Sequence, residues 1–490
     1  MSTVIIIGSG FGGSIAAKRF TEAGHQVTIL ELGEDWRDLE KAQQSQDPRF
    51  LFRLLRNYPA DQLHAKLTVT LGMGVGGGSL VYSGIHLRAP QHAFEGWPAG
   101  WTRARLDPYY DRVDKRLGIS PMLDAFDFPR PKLFARGAAA AGLPPPVPMP
   151  LALQGCTRCG WCVPICAWGK KVTMQYSYLA DAAATRRLTI ETHRKAAWIA
   201  RIGDRYRVGS WRTDRVTRDY HRVTTGEIES LDADLVVVAC GAIESPALLE
   251  RSLSADLPRG TERIRPFPTK HLGNGIDGTG DFVQGGFVPQ RVEAFKGAVM
   301  MTMIDFGDYV LEDLHGFPTG AAVTLGTQLP GIAKPWGRAY KHSLADYGQH
   351  MLAIAIVGKQ GPGTERNISV RDDHGNALVS TTAYAPPTGS IDAARSIIHA
   401  LGGQIADTPW ELSRSAITVH PTGGCAMGDA KDDVVRARDL QLQDNPGLYV
   451  IDGSVLPGNP LRNPSHTIAA VAERALDVIL GGQNPAQWAE

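Results

Sequence analysis

Four of the chain's six cysteines stand in one short stretch, CTRCGWCVPIC at 156–166, spaced Cys156-x2-Cys159-x2-Cys162-x3-Cys166. Thiolates at that spacing hold the iron of a bacterial ferredoxin cluster. The run departs from the ferredoxin pattern at Ala167, where proline usually follows, and at Pro164 inside the last interval. In ferredoxins the fourth cysteine serves a second cluster, and no second run occurs in this chain. The four would therefore close on one [4Fe-4S] centre, or three would hold [3Fe-4S]. Zinc is a rival, although four-cysteine zinc sites usually separate their two Cys-x-x-Cys pairs by a long stretch. A second rival is four packed thiols with no metal.

A second set of residues binds rather than reacts. Gly8-x-Gly10-x-x-Gly13, with Phe11 and Gly12 inside it, follows the apolar run TVIII and opens a helix-like stretch. That order sets backbone N–H groups and the positive end of a helix against a pyrophosphate. Glu31 ends the next strand-like run, 18 residues after Gly13, where an acid accepts from ribose hydroxyls. Gly72-x-Gly74-x-x-Gly77 repeats the letters, with Glu95 at a similar distance. It is rejected as a second dinucleotide site, because no helix-then-strand pattern follows and Glu95 lies in a Phe-Glu-Gly-Trp-Pro loop. Its better reading is a backbone that must approach a flat ligand closely. With only one nucleotide fold, an organic substrate is expected to reduce the bound cofactor directly.

The elements that must carry these residues follow from patterning. Strand, glycine turn, helix and strand span 3–31, with Gly24 at the helix C-terminus. Residues 40–70 read as polar and irregular, and LDPYYDRVDKRLG as a short acidic helix. GLPPPVPMP at 142–150 is a stiff approach to the cysteines. Short alternating pieces over 188–240 end in the buried strand of ADLVVVACGAIESP. FVQGGFV, AVMMTMIDF, MLAIAIVG and a hairpin around Asp372-Asp373-His374-Gly375 predict an antiparallel sheet within 280–385. An apolar-periodic helix closes the chain from about Thr467 to Leu480.

With 490 residues, two or three domains or one large interleaved pair are expected. Lys and Arg number 51 against 50 Asp and Glu, a balance that argues against a nucleic-acid or polybasic membrane binder. No apolar run approaches the roughly 18 residues of a membrane span, and the first residues carry no secretory-signal pattern. A soluble cytoplasmic protein, with cysteines reduced or metal-bound, is the expectation.

Taken together the motifs resemble the glucose–methanol–choline family of FAD oxidoreductases, in its cholesterol-oxidase-like and sugar-dehydrogenase-like branches. They are GSGFGG with Glu31, GVGGGSLVYSG at 74–84, LDPYYDRV at 106–113, CGAIESPALL at 240–249, HPTGGCAMG, and LYVIDGSVLPGNPLRNPSHTIAAVAER. The resemblance implies an α/β fold in which a Rossmann-like FAD domain is interleaved with an antiparallel-sheet substrate domain. The corresponding boundaries are 1–110, 186–265 and 406–490 for FAD, 111–185 for a connecting segment with the cysteine run, and 266–405 for the substrate cap. It implies that Gly8, Gly10, Gly13 and Glu31 hold the ADP half. Gly76, Gly77, Gly78 and Ser79 would lie along the phosphates and flavin, with Asp452, Gly453, Asn463 and Pro464 on the other side. Where the cholesterol-oxidase branch usually shows Asn before Gly, this chain has Tyr82 and Ser83, so substrate identity does not carry over.

The implied chemistry is hydride transfer from an alcohol carbon to flavin while His420, in HPTGGCAMG, takes the hydroxyl proton. An imidazole with an ordinary pKa near 6.5 is largely neutral at pH 7 and able to accept it. Asn463 matches the second position, where an amide orients the substrate oxygen. His466 reads better as a polar residue near the start of the closing helix. Sterol-like, terpenoid or sugar alcohols are all substrates compatible with the two branches. Relatives with an iron–sulfur centre in this region favour electron exit through the cysteine run to an acceptor protein or quinone. An oxidase that delivers electrons to O2, and a redox-neutral lyase on the same fold, are the alternatives.

Overall fold

Valine and isoleucine fill Thr3–Ile7, and this strand becomes the centre of a five-stranded parallel sheet. The order is Leu448–Val450, Leu235–Val238, Thr3–Ile7, Gln26–Leu30, Leu188–Glu191. Pairing is parallel throughout, with Val4 opposite both Leu235 and Val27. Strands buried on both faces must be continuously apolar, and Val4, Ile5, Ile6 and Ile7 are all buried. Neighbours on the two sides of Thr3–Ile7 are reached in opposite directions, which makes the carboxyl end of this strand the crevice where ligands bind. The structure is a computed structural model and describes residues 1–38, 53–62, 65–213, 227–316, 337–406 and 415–481.

Three helices cover one another beside this sheet: Phe11–Glu22, Arg103–Leu117 and Ser465–Ile479. Arg19 and Arg112 from the first two both reach Glu473 and Asp477 of the third, at 2.5 to 3.0 Å. Arg103–Leu117 starts at Thr102, whose hydroxyl accepts from the Arg105 amide, and stops at Gly118 in the left-handed region. The closing helix therefore begins two residues before the expected start.

A second sheet of six antiparallel strands runs Gln404–Ala406, Phe282–Phe287, Met351–Gly358, Tyr309–Leu314, Met300–Asp305, Val147–Pro148. The expected hairpin is Ile368–Asp373 with Asn376–Thr381, joined by His374 and Gly375, both at positive φ as a type I′ turn requires. One expectation fails locally. Much of the span read as irregular over 40–70 pairs as antiparallel strands Leu55–Gln62 and Ala65–Gly72, extended by Ser415–Thr418. The alternation in Lys66-Leu67-Thr68-Val69-Thr70-Leu71 carried that signal. Residues 40–52 and 63–64 of the same span lie outside the described residues.

Candidate active site

The glycine turn is shaped by what presses on it. A Cβ at Gly12 would sit 1.8 Å from the Ile451 carbonyl oxygen, so only glycine lets this helix meet the Leu448–Val450 strand end. A Cβ at Gly77 would sit 2.6 Å from the Gly10 Cα, so the second glycine block lies directly on the first. Gly10 and Gly78, by contrast, have open space where a side chain would project. The helix Phe11–Glu22 has no side-chain N-cap, which leaves its leading amides and positive end to a ligand. Uncapped amides and two glycines facing open space fit a dinucleotide pyrophosphate.

Glu31 is buried here and its carboxylate already has four donors. Oε2 accepts from the Ser9 amide at 3.0 Å and hydroxyl at 2.5 Å, and Oε1 from the amides of Gly33 at 2.9 Å and Gly74 at 3.3 Å. A carboxylate offers about four acceptor positions, so Glu31 fastens the two glycine segments together. Asp452 does the same on the opposite side, accepting from the Gly241 amide, the Ser245 hydroxyl and the Ser454 amide at 2.5 to 2.8 Å.

His420 follows the strand Ser415–Thr418 and is held by residues that carry no motif. Its Nδ1 lies 2.8 Å from Asp281 Oδ1. The Thr279 hydroxyl donates to the same oxygen, while the Thr418 hydroxyl and Val419 amide donate to Oδ2, each at 2.9 Å. Because an ionised carboxylate only accepts, the proton sits on Nδ1 and the Nε2 lone pair is left for substrate. Burial draws the imidazole pKa down; the Asp281 charge and hydrogen bond, with Glu312 nearby, outweigh it and leave the group above its ordinary value. Glu312 itself is fully buried with neither oxygen hydrogen-bonded, and burial pushes its carboxyl up to about 8.

The remaining site residues converge on this loop. Gly423 and Cys425 amides donate to the Gly453 and Ser454 carbonyls, both at 2.9 Å, joining HPTGGC to the Asp452–Gly453 turn. Asp277 exchanges backbone hydrogen bonds with Thr422 and accepts from Asn459 Nδ2 at 2.8 Å, which anchors the segment leading to Asn463. Asn463 is buried and its Oδ1 has no partner, as a group awaiting a ligand would. Pro464 occupies the N-cap position of the closing helix. His466 turns elsewhere: its Nε2 is 3.0 Å from Asp114 and its ring packs edge-on against His86 and Tyr110. Asp281 and Glu312 were missed by sequence reasoning, and their only signal is an acid at the border of, or inside, an apolar strand.

The iron–sulfur expectation finds no support. Among the described residues, no three His, Cys, Asp or Glu side chains gather as a metal-binding group. Backbone contacts tie the cysteine run to residues that flank the antiparallel-sheet strands Met300–Asp305 and Tyr309–Leu314. Arg158 and Cys159 pair with Gly297, and the Gly160 carbonyl accepts from His315 Nε2 at 2.6 Å. Three of the sulfurs are engaged locally. Cys156 accepts from the Arg158 amide and Cys166 from the Lys170 amide. Cys162 packs among Ile85, Met122 and Met301, where burial pushes its thiol up to about 11. No helix among the described residues is long and apolar enough to cross a membrane.

Two family models described as GMC oxidoreductase match residues 3–256 and 392–472. The chain is 27% identical to a cholesterol oxidase of Mycobacterium tuberculosis (strain CDC 1551 / Oshkosh), over 96% of this chain and 90% of that protein. It is 25% identical to 2-methyl-1,2-propanediol dehydrogenase of Mycolicibacterium austroafricanum, over 97% and 94%. A crystal structure of pyridoxine 4-oxidase from Mesorbium loti superposes with a TM-score of 0.69 at 18% identity, over 99% of this chain and 100% of that one, and shows the shared fold.

Proposed function

This chain belongs to the GMC oxidoreductase family, and from that premise we propose that it oxidises an apolar alcohol, with His420 as the proton acceptor and Asp281 as its positioning partner. It is an FAD-dependent oxidoreductase of alcohols. The residues that would hold FAD are Gly8, Gly10, Phe11, Gly12 and Gly13 with Glu31 behind them, the segment Gly76–Ser79, and Asp452, Gly453, Asn463 and Pro464. Bound there, FAD supplies the acceptor for the hydride of the carbinol carbon.

The chain's own part is placement and proton handling. Asp281 fixes the tautomer, so Nε2 takes the hydroxyl proton, and its negative charge stabilises the imidazolium that results. The Asn463 amide, buried with an unpartnered oxygen, orients the alcohol oxygen. The observation that carries this reading is the 2.8 Å contact between His420 Nδ1 and Asp281.

The curated relatives support an apolar alcohol over a sugar. A cholesterol oxidase and long-chain-alcohol oxidases of Arabidopsis thaliana are among the relatives, which agrees with a sterol-like or long aliphatic alcohol. Cytoplasmic residence suits six free cysteines.

The test is anaerobic mixing of purified protein with sterol, long-chain and sugar alcohols. Bleaching of the flavin with an apolar alcohol and formation of the carbonyl product are expected. Product without flavin bleaching would replace this reading with redox-neutral lyase chemistry. Oxygen uptake with peroxide formation, against reduction of an added dye or quinone, then assigns the acceptor.

A further inference from the structure

Lys171 is 1% exposed and has no part in the proton chemistry above. Its Nζ donates to three backbone carbonyls, those of Leu80 at 2.7 Å, Tyr82 at 2.6 Å and Cys162 at 2.7 Å. An ammonium has three N–H donors, whereas a neutral amine has two and a lone pair that a third carbonyl would repel. Three short contacts therefore select the charged form, with the lengths of charge-assisted bonds. Burial lowers the group to about 8, which still leaves it charged at neutral pH. Among the described residues no carboxylate forms an ion pair with it; its neighbours are the Tyr82 ring, 5.3 Å from Nζ, and the thiols of Cys162 and Cys166.

An unpaired buried cation is costly, and in a low-dielectric interior its field reaches far. What it faces is the second glycine block. Leu80 and Tyr82 end the segment that begins at Gly76, and the same segment is clamped again where Ser79 Oγ accepts from the Met174 amide at 2.9 Å and the Tyr82 hydroxyl donates to the Val172 carbonyl. The 171–174 strip thus fixes the charge and the glycine segment in one rigid unit.

We propose that Lys171 is a fixed positive charge behind the flavin-lining segment that favours reduced over oxidised flavin, making the bound cofactor a stronger oxidant of alcohols. Two-electron reduction by a hydride adds one negative charge to the cofactor, and a cation behind it stabilises the charged product over the neutral reactant. This rests on the reading above that FAD lies against Gly76–Ser79.

The test compares K171Q, whose amide can still donate to two of the carbonyls, with K171M and K171R in the flavin-loaded protein. The readouts are flavin per chain, melting temperature, midpoint potential against reference dyes, and the dissociation constant for sulfite, an anion whose flavin adduct gains the same negative charge. K171Q and K171M are expected to keep flavin and weaken sulfite binding about tenfold, with a potential drop of about 30 mV per tenfold change in the two-electron equilibrium. K171R should stay within about threefold of the parent. Flavin-loaded K171Q with parental sulfite affinity and potential overturns the proposal. If both neutral variants fail to fold, parental potential in K171R is expected, and a drop there as large as tenfold in equilibrium overturns it. Gly78→Leu keeps Lys171 but fills the open face of the segment; full flavin content in that variant would overturn the placement of FAD instead.

Discussion

Replacing Asp281 by Asn tests the proton chemistry at its support. Asp281 accepts from four donors, and only one of them, His420 Nδ1, belongs to the proposed base. An amide of the same shape can still accept on its oxygen from Thr418 and Val419, but its nitrogen then faces His420 and can only donate. That reverses the tautomer and places the proton on Nε2, where the alcohol must be deprotonated. Hydrogen bonds to charged groups are worth about 1.5–3 kcal/mol, or roughly 10- to 150-fold in rate at about 1.4 kcal/mol per decade. A tautomer in the wrong form adds to this, up to the roughly 10²–10⁴ that general base catalysis supplies. A fall in kcat/KM of about 10² is therefore expected for D281N, with KM little changed. The acid limb of the pH profile should move to lower pH, since Asp281 is what raises His420 above its ordinary value. Steady-state rates against pH and anaerobic flavin bleaching measure both, with flavin content and melting temperature as controls. A folded, flavin-loaded D281N within about threefold of the parent and with an unmoved acid limb would refute the pairing argument.

Other substitutions probe the remaining supports. Glu312 has a folded pKa near 8 against an ordinary 4.5; between those values the unfolded chain has released a proton that the folded one retains, so stability falls as pH rises. E312Q removes this slope and should melt higher than the parent at pH 8 while matching it near pH 4.5, as calorimetry would show; equal melting at both would mean the carboxyl is not held protonated. Gly12→Ala collides with the Ile451 carbonyl and should cost at least about 1–3 kcal/mol in denaturant unfolding. Gly10→Ala meets nothing in the protein and should leave the apoprotein's melting unchanged while lowering flavin content. Changing Cys156, Cys159, Cys162 and Cys166 together to Ser should preserve flavin and turnover, and metal analysis of the parent should find no stoichiometric iron; three or four irons per chain would restore the cluster reading.

The legible parts of this sequence are those whose cause is local. Gly8 announces a turn because its own backbone, at positive φ, demands glycine. His374-Gly375 announces a hairpin for the same reason, and the apolar spacing over Ser465–Ile479 is complete within one helix. The cysteine run has equally clear spacing, yet spacing fixes only distance along the chain. The path of the loop depends on Gly297, His315 and Lys171, all outside the run, which bond to its backbone carbonyls at Arg158, Gly160 and Cys162.

The base is the sharper case. His420 could be matched by its motif, but what makes it a base with a defined tautomer is Asp281, 139 residues earlier in the chain. The two meet because the strand Phe282–Phe287, which Asp281 precedes, packs near the strand Ser415–Thr418, which His420 follows. Nothing in either local stretch encodes that neighbourhood; it is a product of sheet topology. A catalytic pair built from two strand ends can therefore carry a strong motif on one partner and none on the other. In such a fold, an acid at the border of an apolar strand is the residue to test first.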